Sequence, residues 1–291
     1  MEIFELRYFL GIAKFENIHK ASVELAVSPG SLSKAVSRLE EELQVKLFER
    51  VGRNIKLTDH GHLLKSRASQ IVQLESAAKL EISGAEGQIT VNIAGPEVLL
   101  AKFGVEFTQL VREKFSNACF EFIACTEDEA MNKVQKREAH FAIITQDSSS
   151  EFKVKNIIEA SFVTVASTIH PLSKFQQKHK SIPIEKLLQY EFVSPNKAIL
   201  GKVGDKQSVD GWRDDKFQRM IHFRSSSLKL IEEMVSQSKA LAYLPDYLAK
   251  PYIDSKKWVV LNVVGCPYSC HQKVKLVTKS PIDVGWIRQL I

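Results

Sequence analysis

The 291-residue chain has only four cysteines, with no regular spacing between them. That excludes a disulfide framework and fits free thiols in a reducing cytosol. No apolar run approaches the ~18 residues needed to span a bilayer, so no membrane association is expected. The opening Met1-Glu2-Ile3-Phe4-Glu5-Leu6-Arg7 lacks a basic segment followed by an apolar one, so no secretory signal is expected and the chain reads as cytoplasmic. Also missing are Gly-x-Ser-x-Gly, a P-loop and His-Glu-x-x-His. His170-Pro171 has no serine or cysteine partner at motif spacing. No catalytic residue, metal or cofactor is therefore expected, and nothing supports an enzyme.

What is present is ordinary in amount and unusual in arrangement. With 44% apolar and 25% charged residues the chain has the composition of a globular protein. Its length suggests about two or three domains. The formal charge of +6 invites a nucleic-acid partner. Yet residues 1–62 carry nine basic side chains (Arg7, Lys14, Lys20, Lys34, Arg38, Lys46, Arg50, Arg53, Lys56) against nine acids. Net charge is not the argument for DNA there; the placement of charge must be.

Leu6, Phe9, Leu10 and Ala13 fall on one face of a helix. A second short helix follows, with Asn17 as cap and Ala21 and Leu25 inward. Ser28 then stands as N-cap before Pro29 at the first helical position, the expected start signal. The third helix carries an apolar stripe at Leu32, Val36, Leu39 and Leu43, with Ser33, Lys34, Ser37 and Arg38 on the other side. Helix, tight turn, helix suits a helix-turn-helix unit whose second helix enters the major groove by its N-terminal turn. Ser28, Pro29, Gly30 and Ser31 keep that turn small, so its backbone can approach DNA closely. Ser31, Ser33 and Lys34 then face base edges, and Arg38 reaches backbone phosphate. Downstream, Lys46–Phe48 and Ile55–Leu57 are β-prone pieces around a turn at Gly52, forming a small wing with Arg50, Arg53 and Lys56 on it.

Phe9, Ala21…Val27-Ser28, Leu32-Ser33-Lys34, Leu39-Glu40-Glu41-Glu42-Leu43, Leu47-Phe48-Glu49-Arg50, Gly52-Arg53 and Leu57-Thr58…Gly61 occur in order. Together they resemble the LysR-type transcriptional regulators over about sixty N-terminal residues. The resemblance implies a DNA-binding transcription regulator, with double-stranded DNA as partner and RNA polymerase as a further one. One departure falls at a sensitive place. Many members carry Gln-Pro or Gln-Ser after the serine that matches Ser28, whereas here Pro29-Gly30 removes an amide able to read a base edge.

From Thr58 to about Ala85 the chain reads as one long helix, with Leu64, Ala68, Ile71, Ala78 and Ile82 at 3.5-type spacing and Glu75 interrupting the seam. Two readings stand, a helix packed on its own domain and, as the resemblance implies, a dimerisation helix. The resemblance further implies a homodimer or homotetramer. Gly84 and Gly87 would supply a joint.

Beyond it the pattern is β-α-β-α-β: Ile89–Ile93, Val98–Lys114, Cys119–Ala124, Glu127–Arg137 and Phe141–Ile144, which argues a parallel α/β sheet. A second set comprises Phe162–Ala166, Glu191–Val193, Met220–Phe223, the helix Leu228–Gln237 and Leu241–Leu244. The expected fold class is thus α/β with a helix-rich winged helix-turn-helix N-terminal domain (1–58) and a linker helix (59–87). By the resemblance, 88–291 is a two-lobed effector domain of periplasmic-binding-protein type, lobe I being 88–161 and 267–291 and lobe II 162–266. Ser161–Ala166 and Val259–Cys266 are the expected crossings between the lobes.

Ligands in such lobes sit at strand C-termini and helix N-termini. That selects Gly95, Pro96, Glu97, Cys125 and Thr126 in the first lobe, and Ser194, Asn196, Ser225, Ser226 and Ser227 in the second, for a small-molecule effector. Where relatives often have Gly and Asp before the strand ending Ala-Ile, this chain has Arg137 and His140. Where Gly-x-Gly is common it has Ser238-Lys239-Ala240. Bulkier turns reshape the cleft, so a regulator without an effector remains a second reading. Two others stay open: a solute-binding sensor, and a redox- or metal-responsive protein using Cys266, Cys270 and His271. Against the last, a metal site usually wants about three or four ligands and a reactive thiol a depressed pKa.

Overall fold

The computed structural model describes residues 1–51, 54–83, 90–201, 208–237, 239–266 and 269–279. Among the N-terminal elements, α1 (Ile3–Phe15) and α2 (Ile18–Leu25) form a hairpin, with Asn17 accepting a hydrogen bond from the Lys20 amide. Ala26, in the left-handed region at φ 51°, turns the chain into α3 (Pro29–Leu43). Ile12, Ala21 and Leu32 bury one side of this bundle. The α3 stripe is narrower than its sequence suggests: Ala35 and Leu39 join Leu32 in the core, Val36 is half-buried and Leu43 is exposed. The wing is β1 (Phe48–Val51) paired antiparallel with β2 (Asn54–Leu57), slightly later than expected at its first strand. The Gly52-Arg53 turn lies outside the described residues.

The long helix is α4 (Asp59–Ser83). Thr58 starts it, its hydroxyl accepting from the Gly61 amide and donating to the Lys46 carbonyl. Its N-terminal half is committed to the head. Ala68 is fully buried, and Leu64, Ile71 and Val72 pack on Leu6, Phe9 and Leu47. The expected seam residues Leu64, Ala68 and Ile71 are thus core of their own domain. Glu75, which interrupts the apolar spacing, binds Arg7 of α1 at 2.6 Å and Lys79 one turn on. Exposed apolar side chains on this helix are Leu63 near its start and, in the C-terminal half, Leu74 and, 87% exposed, Ile82. The joint expected at Gly84 and Gly87 lies outside the described residues.

The rest folds as two α/β lobes sharing one long curled sheet. In lobe I, β3 (Thr90–Gly95) lies between β4 (Cys119–Ala124) and β5 (Phe141–Ile144), all parallel. Helix α5 (Glu97–Leu99) runs through a π turn at Leu100–Gly104 into α6 (Val105–Lys114), and α7 (Glu127–Gln135) joins β4 to β5. Arg137, at the place where relatives often have Gly, takes φ 57°.

The sixteen-residue β6 (Phe152–Ser167) then passes from one lobe into the other. In lobe II follow α8 (Pro171–His179), β7 (Ile182–Pro183), α9 (Ile184–Leu187), β8 (Glu191–Pro195) and β9 (Met220–Ser225). They are succeeded by α10 (Leu228–Ser236), β10 (Ala242–Pro245), α11 (Asp246–Asp254), β11 (Trp258–Val260) and β12 (Val263–Val264). The chain returns to lobe I as β13 (His271–Lys279), antiparallel to both β6 and β5. The order is β10-β6-β13-β5-β3-β4 with β11 also on β6.

The second crossing therefore lies at Cys270–His271, later than Val259–Cys266. Trp258–Val260 pair with lobe-II residues of β6, and Val263–Val264 with β7. The Cys270 amide still donates to the lobe-II Tyr243 hydroxyl, at 3.0 Å. Ser238 is outside the described residues, as is 280–291. Among the described residues no helix is long and apolar enough to cross a membrane.

Candidate DNA interface and effector cleft

The first turn of α3 is organised by Ser28. Its Oγ accepts from the Ser31 amide at 3.1 Å and lies 2.9 Å from the Ser31 hydroxyl. Pro29 occupies the first helical position, where its missing N–H costs nothing. Gly30, Ser31, Ser33 and Lys34 are exposed beyond it. Lys34 makes no ion pair among the described residues, so its charge faces solvent uncompensated. Arg38 is placed differently: its guanidinium lies 3.9 Å from the buried Glu5 carboxylate of α1. It is anchored to the head as well as exposed.

The far end of α3 is clamped to the wing by Glu40. Its carboxylate accepts from Lys46 Nζ (2.6 Å) and from the Leu47 (2.8 Å) and Phe48 (3.3 Å) amides. Burial pushes this carboxyl up, but the Lys46 hydrogen bond and the two amides outweigh it and hold it below the usual range. This was unread in the sequence, where Glu40–Glu42 look alike. Within the wing, Arg50 lies opposite Ile55, and Lys56 opposite Glu49. Alternation along a strand puts these pairs on opposite faces. Arg50 shares the face of Phe48 and Ile55, which packs against Leu32 of α3. Lys56 sits on the other face with an acid directly across. Arg53 lies outside the described residues.

Between the lobes is a cavity of about 780 Å³. Pro96, Glu97, Cys125, Thr126, Ser226 and Ser227 line it, at the N-terminal turns of α5, α7 and α10. The other expected residues lie off it. Gly95 is behind, where a Cβ would stand 2.5 Å from the Ile143 carbonyl, so close sheet packing explains the glycine. Ser194 is buried and donates to Asp210 at 3.1 Å. Asn196 uses its amide on the Ser225 carbonyl, and the Ser225 hydroxyl accepts from the Ser227 amide.

Sequence reasoning missed Glu127, Gln146, Lys197 and Ile199, which also line the cavity. Glu127 opens α7 and is nearly buried, accepting from the Thr145 amide (2.9 Å), the Thr145 hydroxyl (2.7 Å) and the Gln146 amide (2.9 Å). The capping pattern Thr126-x-x-Glu129 could have located that turn: Thr126 and Glu129 bond reciprocally, and the Thr126 hydrogen bonds hold the Glu129 carboxyl below the usual range. Lys197–Gly201 reach across from lobe II. The Gln272 amide of lobe I donates to the Leu200 carbonyl at 2.6 Å, and Gly201, at φ 90°, lies so close to Thr145 that a Cβ would be 2.5 Å from its hydroxyl. The buried Arg219 and Asp210 form an ionic cluster behind with the half-buried Asp214, the Arg219 guanidinium lying over Phe192 and Trp212.

Cys270 has the wrong electrostatics for a reactive thiol. Burial, and then the Asp210 charge, push the Cys270 thiol up to about 11. His271 is held by the Ser161 and Ser269 hydroxyls, at 3.2 and 2.9 Å. Among the described residues no group of three or more His, Cys, Asp or Glu could hold a metal ion. His170 caps α8, its Nδ1 accepting from the Leu172 amide at 3.2 Å.

Known proteins fall in line with this geometry. The profile described as "Bacterial regulatory helix-turn-helix protein, lysR family" matches residues 3–62, and the LysR substrate binding domain matches 84–280. The transcriptional dual regulator GltC of Bacillus subtilis is 26% identical over 258 residues, 84% of this chain and 81% of its own. The HTH-type transcriptional regulator BudR of Raoultella terrigena is 26% identical over 274 residues, covering 88% and 91%. Among solved structures, a full-length OxyR variant from Pseudomonas aeruginosa has TM-score 0.67 at 18% identity, with 100% and 92% coverage. Full-length CbnR complexed with its target DNA has 0.61 at 17%, with 100% and 97% coverage. The chain belongs to the LysR family and is a DNA-binding transcriptional regulator, with a helix-turn-helix head and a C-terminal substrate-binding domain.

Proposed function

We propose that this regulator reads its operator with the first turn of α3. Ser28–Ser31 let the backbone close on the groove, Ser33 and Lys34 address base edges, and Arg50 with Arg53 flank the backbone. Lys56 and Arg38 are secondary phosphate contacts, because Glu49 and Glu5 already oppose their charges. The observation that carries the reading is the exposed, serine-capped turn beside an uncompensated Lys34. Two heads are paired through the C-terminal half of α4, where Leu74 and Ile82 are exposed among the described residues, giving a homodimer or a tetramer built from two. A small-molecule effector binds between the lobes and alters how the heads are presented, with RNA polymerase as the downstream partner in the cytoplasm. No catalytic step and no cofactor enter this reading. Footprinting of bound DNA across the source genome tests it. Protected sites with a shared, two-fold related sequence are expected; protection without a common sequence would refute specific readout.

A further inference from the structure

The cleft that we read as the effector site has two walls of opposite electrical character. On the lobe-I side stand Glu97, Glu127, Asp128 and Glu129, with no cation among them. The positive end of α7 is already spent there, on its own capping box and on Glu127 in its first turn. The lobe-II wall has one acid, Glu232 of α10, against two lysines. It offers Lys197, which makes no ion pair among the described residues, and the start of α10 at Ser226-Ser227, with no acid in that helix's first turn. Lys229 is drawn toward Glu233, at 2.9 Å, and lies 4.0 Å from Glu232, so these charges offset one another and Lys197 is the cation left to a ligand. Between the walls the lining is apolar, from Val98, Ala101, Ile199 and Leu228.

We infer that the effector is an amphoteric small molecule: an ammonium or guanidinium end meets the lobe-I carboxylates, a carboxylate or similar anion meets Lys197 and the α10 N-terminus, and a short apolar spacer joins them. A dianion brings charge against four carboxylates, and a dication leaves Lys197 facing a like charge. Only a ligand charged oppositely at its two ends satisfies both walls. By spanning the cleft, such a ligand ties the lobes together across the Lys197–Gly201 segment. This inference rests on the reading of the cleft as the effector site, and the two fail in different ways.

The test uses three probes of matched length that differ only in their ends: aminohexanoate, hexanediamine and adipate. Binding to the full-length protein is followed by calorimetry up to high millimolar concentration. Aminohexanoate is expected to bind at least about tenfold more tightly than either of the others. Glu97→Gln should weaken aminohexanoate and hexanediamine but not adipate, and Lys197→Met should weaken aminohexanoate and adipate but not hexanediamine. Adipate or hexanediamine binding as well as aminohexanoate overturns the amphoteric class and leaves the cleft as a site of another class. Aminohexanoate binding that survives Ala101→Trp, which fills the cavity, places the ligand elsewhere and overturns the cleft reading itself. No binding by any of the three overturns the inference.

Discussion

Arg219 and Asp210 meet as a two-pronged pair inside lobe II, Nη1 to Oδ2 at 2.7 Å and Nη2 to Oδ1 at 3.0 Å, with neither side chain exposed. Asp214 takes the remaining edge of the guanidinium through Nε (2.9 Å) and Nη2 (2.8 Å). Asp210 also accepts from Ser194, at the end of β8, so the cluster ties the 208–219 segment to the sheet beneath the cleft. Removing Asp210 leaves Arg219 with Asp214 alone and one buried edge of its guanidinium without an acceptor. Asp210→Ala should cost about 3–5 kcal/mol, and replacing Arg219 and Asp210 together with apolar residues should cost less than that single change. Urea unfolding followed by tryptophan fluorescence, with Trp212 packed on the guanidinium, would measure both. A loss well under about 1 kcal/mol for Asp210→Ala would mean that the cluster is solvated.

Gly61 marks where the linker helix crosses the wing. A Cβ there would fall 2.1 Å from the Leu47 carbonyl and 2.8 Å from Leu57. Neither neighbour can give way cheaply, since one is backbone and the other is core. Gly61→Ala should therefore destabilise the head by about 1–3 kcal/mol and weaken DNA binding with it. Thermal unfolding and gel-shift on the same preparation should move together.

The sequence made the head legible because its signals are local: a serine cap, a proline at the first helical position and a 3.6-residue apolar stripe. The strands of lobe I were equally plain in their apolar runs. The first ten residues of β6 were not. There the ladder slips opposite Val274 and Lys275, so Ile157 is skipped in the pairing and the inward-outward alternation breaks. The cleft was half-read for a related reason. Pro96, Glu97 and Thr126 follow strand ends, a rule visible in one dimension, whereas Lys197 and Ile199 enter by a crossing loop that no period announces. Arg219 and Asp210 are nine positions apart and carry no motif; only burial makes them a pair.

Lys34 and Arg50 should fail differently. If Lys34 reads a base edge, Lys34→Ala should cost about 1–3 kcal/mol on the operator and little on random duplex. If Arg50 lies along the backbone, Arg50→Ala should weaken both alike and lower the salt slope by about one. Lys56→Ala, with Glu49 opposite, should change the slope less. Equal losses for Lys34→Ala on both duplexes would make it a phosphate contact instead.

His140 makes lobe I sensitive to acid. Its Nδ1 accepts from the Asn92 amide at 2.9 Å, and desolvation lowers its pKa from 6.5 to about 4. The native ring is therefore neutral where the unfolded one gains a proton. Stability is full above about pH 6.5 and declines as pH falls toward 4, because only the unfolded state binds the proton in that window. The decline should reach a few kcal/mol at most. His140→Gln should flatten the dependence between those limits, measured by urea midpoints at successive pH values. An unchanged slope would mean that another group governs the acid limb.

The thiols should separate by access and charge. Cys119 is exposed on β4, an edge strand, whereas Cys270 is buried, with its thiol pushed up to about 11. At neutral pH Cys270 is almost wholly protonated and screened, and the thiolate is the form that attacks an alkylating agent or a peroxide. Brief iodoacetamide treatment of the folded protein, read by peptide mass spectrometry, should label Cys119 and spare Cys270. Labelling of both should require denaturant. Mild peroxide should likewise leave Cys270 reduced, unjoined to Cys266, and DNA binding unchanged. A disulfide between them that altered operator affinity would contradict the raised pKa and restore the redox-responsive reading of the Cys266–His271 segment.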